Sequence, residues 1–116
     1  MIKIKPVLLE LSGRSSAAGL TSLVTRAMEP GFIFHVDLVS VENDTTAATI
    51  AKVGIERSGR FCPGETITLT SAGYFYPFDS PITILSTDRI RVDFSSAGNN
   101  TLCNVLVVGY LTPAEP

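Results

Sequence analysis

The segment DRIRVDF, residues 88–94, has the most regular alternation of apolar and polar residues in the chain. Ile90, Val92 and Phe94 are apolar, and the residues between them are charged. Because successive side chains of a β-strand point to opposite faces, this pattern predicts a strand with one buried side and one side in water.

Similar β-branched and aromatic runs recur along the chain, separated by Gly and Pro about every 8 to 20 residues. We predict strands at residues 4–11, 21–28, 32–42, 48–56, 65–70, 73–76, 81–85, 88–95 and 102–111. Short strands at this spacing are typical of an all-β sandwich or barrel, and we predict a single antiparallel β-sandwich over residues 1–116. The segment SSAGNNT, residues 95–101, is expected to join the last two strands as a hairpin loop.

The run FIFHVDLVSVEN, residues 32–43, changes phase in its middle. Apolar residues at even-numbered positions from Phe32 to Leu38 share one face of the strand, whereas Val39 and Val41 lie on the other. The change predicts either a β-bulge or a change of pairing partner near Leu38.

The last predicted strand, LCNVLVVGYL at residues 102–111, is apolar on both faces. The outer face of a strand in an isolated two-sheet sandwich should be polar, so the second apolar face of this strand needs a cover. The cover is either the N-terminal segment folded over the sheet or another subunit. We favour an oligomer and expect Val105, Val107 and Leu111 to lie at the subunit interface.

The N-terminal segment MIKIKPVLLELSG has a strand-like composition, but its alternation breaks at Pro6. Proline cannot donate a ladder hydrogen bond, so it belongs on a sheet edge or in an arm. We expect residues 1–11 to form an arm that reaches along a partner, with Ile2 and Ile4 among its contacts. The tail TPAEP, residues 112–116, is expected to be loose.

Composition narrows the classes of function. Charged residues make up 17% of the chain, below the usual ~25%, which favours a surface partly hidden against partners. The net charge is −2 and the Lys and Arg residues are scattered, which argues against nucleic-acid binding. No stretch approaches the ~20 apolar residues of a membrane span, and no export signal is recognisable, so synthesis in a cytosol is expected.

Candidate catalytic or metal-binding groups are few. His35 lies two residues before Asp37, but no nucleophile motif accompanies the pair, and we interpret His35 as a half-buried strand residue. Cys62 and Cys103 are too few for a zinc site and are expected to be buried free thiols, with a disulfide left open. The aspartates lack the spacing of a calcium loop. We therefore predict no catalytic residue, no metal site and no cofactor.

The segment GYFYPFD, residues 73–79, is the one aromatic cluster. At a period of two, Tyr74, Tyr76 and Phe78 share one face and Phe75 lies opposite. The segment is either a strand that spans core and edge, a contact for a protein partner or a platform for stacking on sugar. Tyr74, Tyr76 and Phe78 are the candidate partner contact.

Two stretches of the chain carry a resemblance to a known group of proteins. They are FIFHVDLVSVENDTTAATIAKVGIERSG, followed by a connection rich in Gly and Pro, and STDRIRVDFSSAGNNTLCNVLVVGYL. In the second stretch a strand begins at an acidic residue, Asp88, and the last strand ends in Gly109 and Tyr110. Residues 30–111 thereby resemble the small jelly-roll proteins of tailed-bacteriophage virions.

The resemblance implies a jelly-roll sandwich without catalytic residues. Proteins of this kind serve as capsid decoration or cement proteins, often trimeric, or as small head–tail and tail parts. We therefore expect a capsid decoration protein, made in the host cytoplasm, that binds the major capsid protein of the virion as a homotrimer. A head–tail or tail-tip component and a carbohydrate-binding β-sandwich are the alternatives, and a hydrolase is the weakest one.

Overall fold

The computed structural model of the chain describes residues 4–17, 20–27, 30–44, 49–69, 76–78, 82–84, 88–97 and 100–113. These residues form nine β-strands, and none of them belongs to a helix that could cross a membrane. The strands are β1 (Lys5–Arg14), β2 (Thr21–Val24), β3 (Phe32–Asn43), β4 (Thr49–Arg57), β5 (Arg60–Leu69), β6 (Tyr76–Phe78), β7 (Ile82–Ile84), β8 (Arg89–Ser95) and β9 (Leu102–Pro113).

The strands form two antiparallel sheets. Sheet A has the order β1-β9-β3, and the far side of β3 pairs with β7 along one half and with β6 along the other. Sheet B has the order β2-β8-β4-β5. With β6 and β7 counted as one interrupted strand, this is the eight-strand order of a jelly roll. The predicted antiparallel β-sandwich is confirmed.

The hydrophobic core lies between the two sheets and is built from alternate residues of their strands. On β8 the buried residues are Ile90, Val92 and Phe94, as the alternation predicts. On β9 the buried positions run on alternate residues from Cys103 to Leu111. Each fully buried Val, Leu, Ile or Phe stabilises the fold by roughly 1.5–3 kcal/mol, so the facing sides of the sheets supply most of the driving force.

The phase change in β3 is a β-bulge at Asp37. Val36 and Leu38 face consecutive residues of β9, so Asp37 between them has no partner on that strand. Because the bulge takes up this extra residue, Val39 and Val41 lie on the core side, where both are buried. On its other edge β3 pairs with β7 before the bulge and with β6 after it. A bulge and a change of partner were alternatives in the sequence, and both occur.

The last two strands do not form the predicted hairpin. Since β8 belongs to sheet B and β9 to sheet A, the connection at residues 95–101 crosses from one sheet to the other. A tight hairpin lies instead between β4 and β5. There Ser58 and Gly59 have φ values of 54° and 78°, and two positive values in succession are what a two-residue type I′ turn requires.

The structure corrects the prediction of an N-terminal arm for residues 5–11. They belong to β1, which pairs with β9 along its whole length, from Lys5 opposite Leu111 to Arg14 opposite Leu102. β1 is the edge strand of sheet A, and an edge is where Pro6 was expected. Similarly, β9 extends to Pro113, so the first two residues of the predicted loose tail are part of a strand.

Candidate functional site

The pairing register determines which side chains share the outer face of sheet A. Residues opposite one another in a ladder lie on the same face, and positions two apart return to it. Four rows therefore cross β1, β9 and β3: Pro6–Tyr110–His35, Leu8–Val108–Leu38, Glu10–Leu106–Ser40 and Ser12–Asn104–Glu42. The face is apolar toward the beginning of β1 and polar toward its end.

No described residue is seen to cover the apolar end of this face, where two side chains are largely exposed. We define the apolar patch as Ile4, Pro6, Leu8, Leu38, Val108 and Tyr110. Within it Ile4 and Leu8 are 61% and 62% exposed, and the side chains of β3 and β9 are half-buried. The outer face of a sandwich sheet is ordinarily polar. A contiguous exposed apolar surface is typical of contact with another macromolecule.

His35 borders the apolar patch and is held by two contacts. Its ring stacks on Tyr110, with the centroids 4.8 Å apart and the planes at 17°. Its Nε2 lies 2.8 Å from the hydroxyl oxygen of Thr112. The half-buried strand histidine predicted from the sequence is confirmed. The two contacts hold the Tyr110 ring in one orientation at the border of the patch.

A shallow cavity of about 400 Å³ lies at the polar end of the same face. Its lining includes Glu10 of β1, Glu42 of β3, and Asn104 and Leu106 of β9. The Asn104 amide donates a hydrogen bond of 2.9 Å to Glu42. Carboxylates and an amide beside an apolar side chain are groups that can orient a small polar ligand such as a sugar.

The outer face of sheet B is charged, and three of its charged side chains bind one another. Arg91 donates to both carboxylate oxygens of Asp93, at 2.8 and 3.2 Å, and to Glu56 at 3.1 Å. The hydrogen bond to Asp93 is the main reason that the pKa of Arg91 is raised. The guanidinium also lies 4.8 Å from the centre of the Phe61 ring. Ser22 donates to Asp93 at 2.7 Å.

The predicted subunit interface falls on the wrong face of β9. Val105, Val107 and Leu111 are 2%, 0% and 6% exposed inside the chain's own core, so a second subunit has no access to them. The half-exposed face of β9 contains Leu106 and Val108 instead. The sequence could not distinguish the two faces, because both are apolar. The distinction comes from the position of sheet B.

The predicted partner contacts are described only in part. Ile4 is exposed in the apolar patch. Ile2 and Tyr74 lie outside the described residues. The backbone of Tyr76 and Phe78 belongs to β6, which pairs with β3, but the side chains of β6 are outside the described part of the structure.

The remaining candidates are the potential metal ligands, the two cysteines and the buried carboxylate of Asp88. Among the described residues, no group of three or more His, Cys, Asp or Glu side chains could hold a metal ion. Both cysteines are free; Cys103 is buried as predicted, whereas Cys62 is exposed on β5, contrary to the prediction. Asp88 is fully buried and accepts hydrogen bonds of 2.9 and 2.7 Å from Arg57, which ties the residue before β8 to the end of β4.

No protein-family model and no curated protein matches the chain. The chemistry of the two outer faces is therefore the basis for a functional proposal.

Proposed function

We propose that the protein is a structural component of a virus particle and decorates the capsid by docking its apolar patch onto the major capsid protein. The observation that supports this proposal is the exposure of Ile4 and Leu8 on a contiguous apolar sheet face. Burial of apolar surface contributes about 25 cal/mol per Å². A sheet face can therefore bind a large partner without a deep pocket.

The resemblance of residues 30–111 to small jelly-roll virion proteins supports the same role. A decoration protein must bind one repeated surface and leave a hydrophilic surface toward the solvent. The charged side chains of sheet B, such as Arg91, Asp93 and Glu56, suit the solvent side. We therefore orient the protein with sheet A toward the shell and sheet B away from it.

Two measurements test this proposal. A mass-spectrometric inventory of purified particles should contain the chain in many copies. Particles stripped of the protein should bind the added wild-type protein, whereas the double variant Leu8→Ser, Val108→Ser should bind at least tenfold more weakly, because it loses apolar contact area. The matched control is Ile50→Ser, which removes an apolar side chain from the outer face of sheet B.

The outcome has clear alternatives. If the double variant saturates stripped particles at the wild-type concentration, the apolar patch is not the docking surface. If the chain is present at one vertex only, it is a head–tail or tail-tip component. If it is absent from particles, the virion assignment fails.

A carbohydrate-binding module is the second candidate, and the cavity lined by Glu10, Glu42 and Asn104 favours it. Binding of an oligosaccharide there would rely on the hydrogen bonds of Glu42 and Asn104. Calorimetric titration with oligosaccharides tests the candidate: Glu42→Gln should weaken binding, whereas Leu8→Ser should not. Absence of binding to a broad oligosaccharide panel would exclude it.

A further inference from the structure

The open edge of β1 has a definite hydrogen-bonding pattern. Just beyond the strand, the Ser15 N–H donates to the carbonyl of Thr101, the residue before β9, at 2.9 Å. Residues of an antiparallel strand direct their backbone N–H and C=O alternately to one side and to the other. Odd-numbered residues of β1 therefore bond to β9, and even-numbered residues direct their backbone groups away from it. Pro6, which has no N–H, is even-numbered and fits this assignment.

The outward-directed N–H groups belong to Leu8, Glu10, Ser12 and Arg14. No other described strand pairs with this edge, and β2 contacts β1 near the end of the strand, where Leu23 and Thr21 lie beside Gly13. A row of unpaired N–H and C=O groups is a template for pairing with another strand. The side chains of β1 are also incompletely buried, because Val7, Leu9 and Leu11 pack only partly against the core and Leu8 is largely exposed.

The two edges of sheet B are less suited to pairing. β2 has only four residues. β5 is as long as β1, but Pro63 lies in its middle and its register shifts where Gly54 of β4 faces Pro63. A proline and an irregularity of this kind are common devices that prevent a sheet edge from pairing. Among the described strands of more than four residues, β1 thus has the longest uninterrupted open edge.

We infer that β1 pairs antiparallel with β1 of a second copy of this chain, about a two-fold axis through Leu11. The geometry limits the alignment, because the outward-directed residues of each strand must face one another. With Leu11 opposite its own copy, Glu10 faces Ser12 and Leu8 faces Arg14. All four outward N–H groups of each strand are then paired, and Pro6 lies just outside the ladder.

The charges on β1 support this alignment over one with its axis through Glu10. Arg14 of one copy lies diagonally across from Glu10 of the other, about 7–8 Å apart on the same face and within reach of its long side chain. An axis through Glu10 would place that carboxylate opposite its own copy, where like charges repel. An axis through Ser12 would place Glu10 directly opposite Arg14, but it would leave the Leu8 N–H beyond the end of the partner strand.

The paired β1 strands would join the two A sheets into one continuous sheet. Both apolar patches would then lie on the same side, and a capsid shell could be bound at two points at once, which strengthens attachment through multivalency. This consequence rests on the proposed function, whereas the pairing itself does not. The homotrimer that the resemblance implies would need a different contact, since pairing about a two-fold axis produces a dimer.

Measurement of mass in solution tests the pairing without any virus particle. At micromolar concentration the wild-type protein should have twice the chain mass of 12.4 kDa. Ser12→Pro removes one outward N–H without touching the ladder to β9, and Pro6 already occupies an equivalent position, so this variant should be monomeric. Ser12→Ala keeps the N–H and should stay dimeric. A wild-type monomer, or a mass three times that of the chain, would overturn the inference.

Disulfide cross-linking tests the alignment even if Ser12→Pro does not fold. In a Cys62→Ser background, Leu11→Cys should form an intermolecular disulfide on air oxidation. The two Cα atoms would be about 4.5 Å apart at a non-hydrogen-bonded pair, a separation that a disulfide can span. Ser12→Cys and Glu10→Cys should remain largely reduced. Efficient cross-linking of either of these instead, or of none of the three, would overturn the alignment through Leu11.

Discussion

At the scale of single residues, the two cysteines show how burial separates identical side chains. Cys62 is exposed on β5, whereas Cys103 is fully buried on β9. Burial raises the pKa of the Cys103 thiol from 9.0 to about 11, because the thiolate would lose its hydration, and Asp44 adds a smaller repulsion. The folded state therefore favours the protonated thiol.

This shift predicts a loss of stability in alkali. Between about pH 9 and pH 11 the thiol ionises in the unfolded chain but not in the folded one. The contribution of the protonated Cys103 thiol to the free energy of unfolding is therefore complete below pH 9 and is lost as the pH rises through 11. The loss amounts to about 2–3 kcal/mol. Urea unfolding of wild type and Cys103→Ala from pH 8 to 11 should show the steeper decline in wild type, and parallel curves would contradict the prediction.

Asp88 illustrates what an alternation pattern can and cannot predict. It lies in phase with Ile90, Val92 and Phe94, so the pattern places it on the inward side of β8. A buried carboxylate requires a partner, and the alternation contains no information about which residue supplies it. The structure brings Arg57 to Asp88 from the end of β4, 31 positions away in the chain.

At the scale of elements, the bulge at Asp37 determines which residues of β3 reach the core. Side chains of a regular strand alternate with a period of two, so an extra residue that no bulge accommodates turns every later side chain to the opposite face. If β3 continued regularly through Asp37, Val39 and Val41 would face outward, and Leu38, Ser40 and Glu42 would face the core. The bulge thus allows two apolar runs that are out of phase in the sequence to face the same core.

Deletion of Asp37 should therefore leave the protein folded. Val36 and Leu38 already face consecutive residues of β9, so the deletion joins them into a regular strand and keeps Val39 and Val41 on the core side. Asp37→Ala keeps the chain length and should change stability by less than about 1 kcal/mol, since Asp37 is exposed. Circular dichroism and urea titration measure both variants. Loss of cooperative unfolding in the deletion variant would show that the bulge does more than set the phase of the side chains.

Strand positions were easier to predict than strand pairing, for a physical reason. Alternation and turn residues are local, and they placed β3, β4, β8 and β9 within a few residues of their observed bounds. Pairing depends on contacts between distant parts of the chain, such as β1 with β9. The assignment of residues 5–11 to an arm and of residues 95–101 to a hairpin failed for this reason. The composition of the outer face of sheet A could not be predicted either, because it depends on which strands pair and in which register.

At the scale of the whole molecule, the two outer faces differ in how they can bind a partner. Sheet B presents ionic groups that already bind one another, such as Arg91 with Asp93 and Glu56. Sheet A presents apolar side chains that the described part of the chain leaves exposed, above all Leu8 and Ile4. An association through sheet A should therefore have the thermodynamic signature of apolar burial, and one through sheet B should have that of charge pairing.

This difference yields a prediction for attachment to stripped particles. Because salt screens exposed charges but not apolar contacts, the affinity should change less than about threefold between about 50 mM and about 500 mM NaCl. Calorimetry should also give a negative heat-capacity change on binding, since apolar surface leaves water. Leu8→Ser should make that heat-capacity change less negative, whereas Arg89→Gln, on the outer face of sheet B, should not alter it. An affinity that falls steeply with salt and responds to Arg89→Gln would instead place the shell against sheet B. The apolar patch would then be available for a different partner.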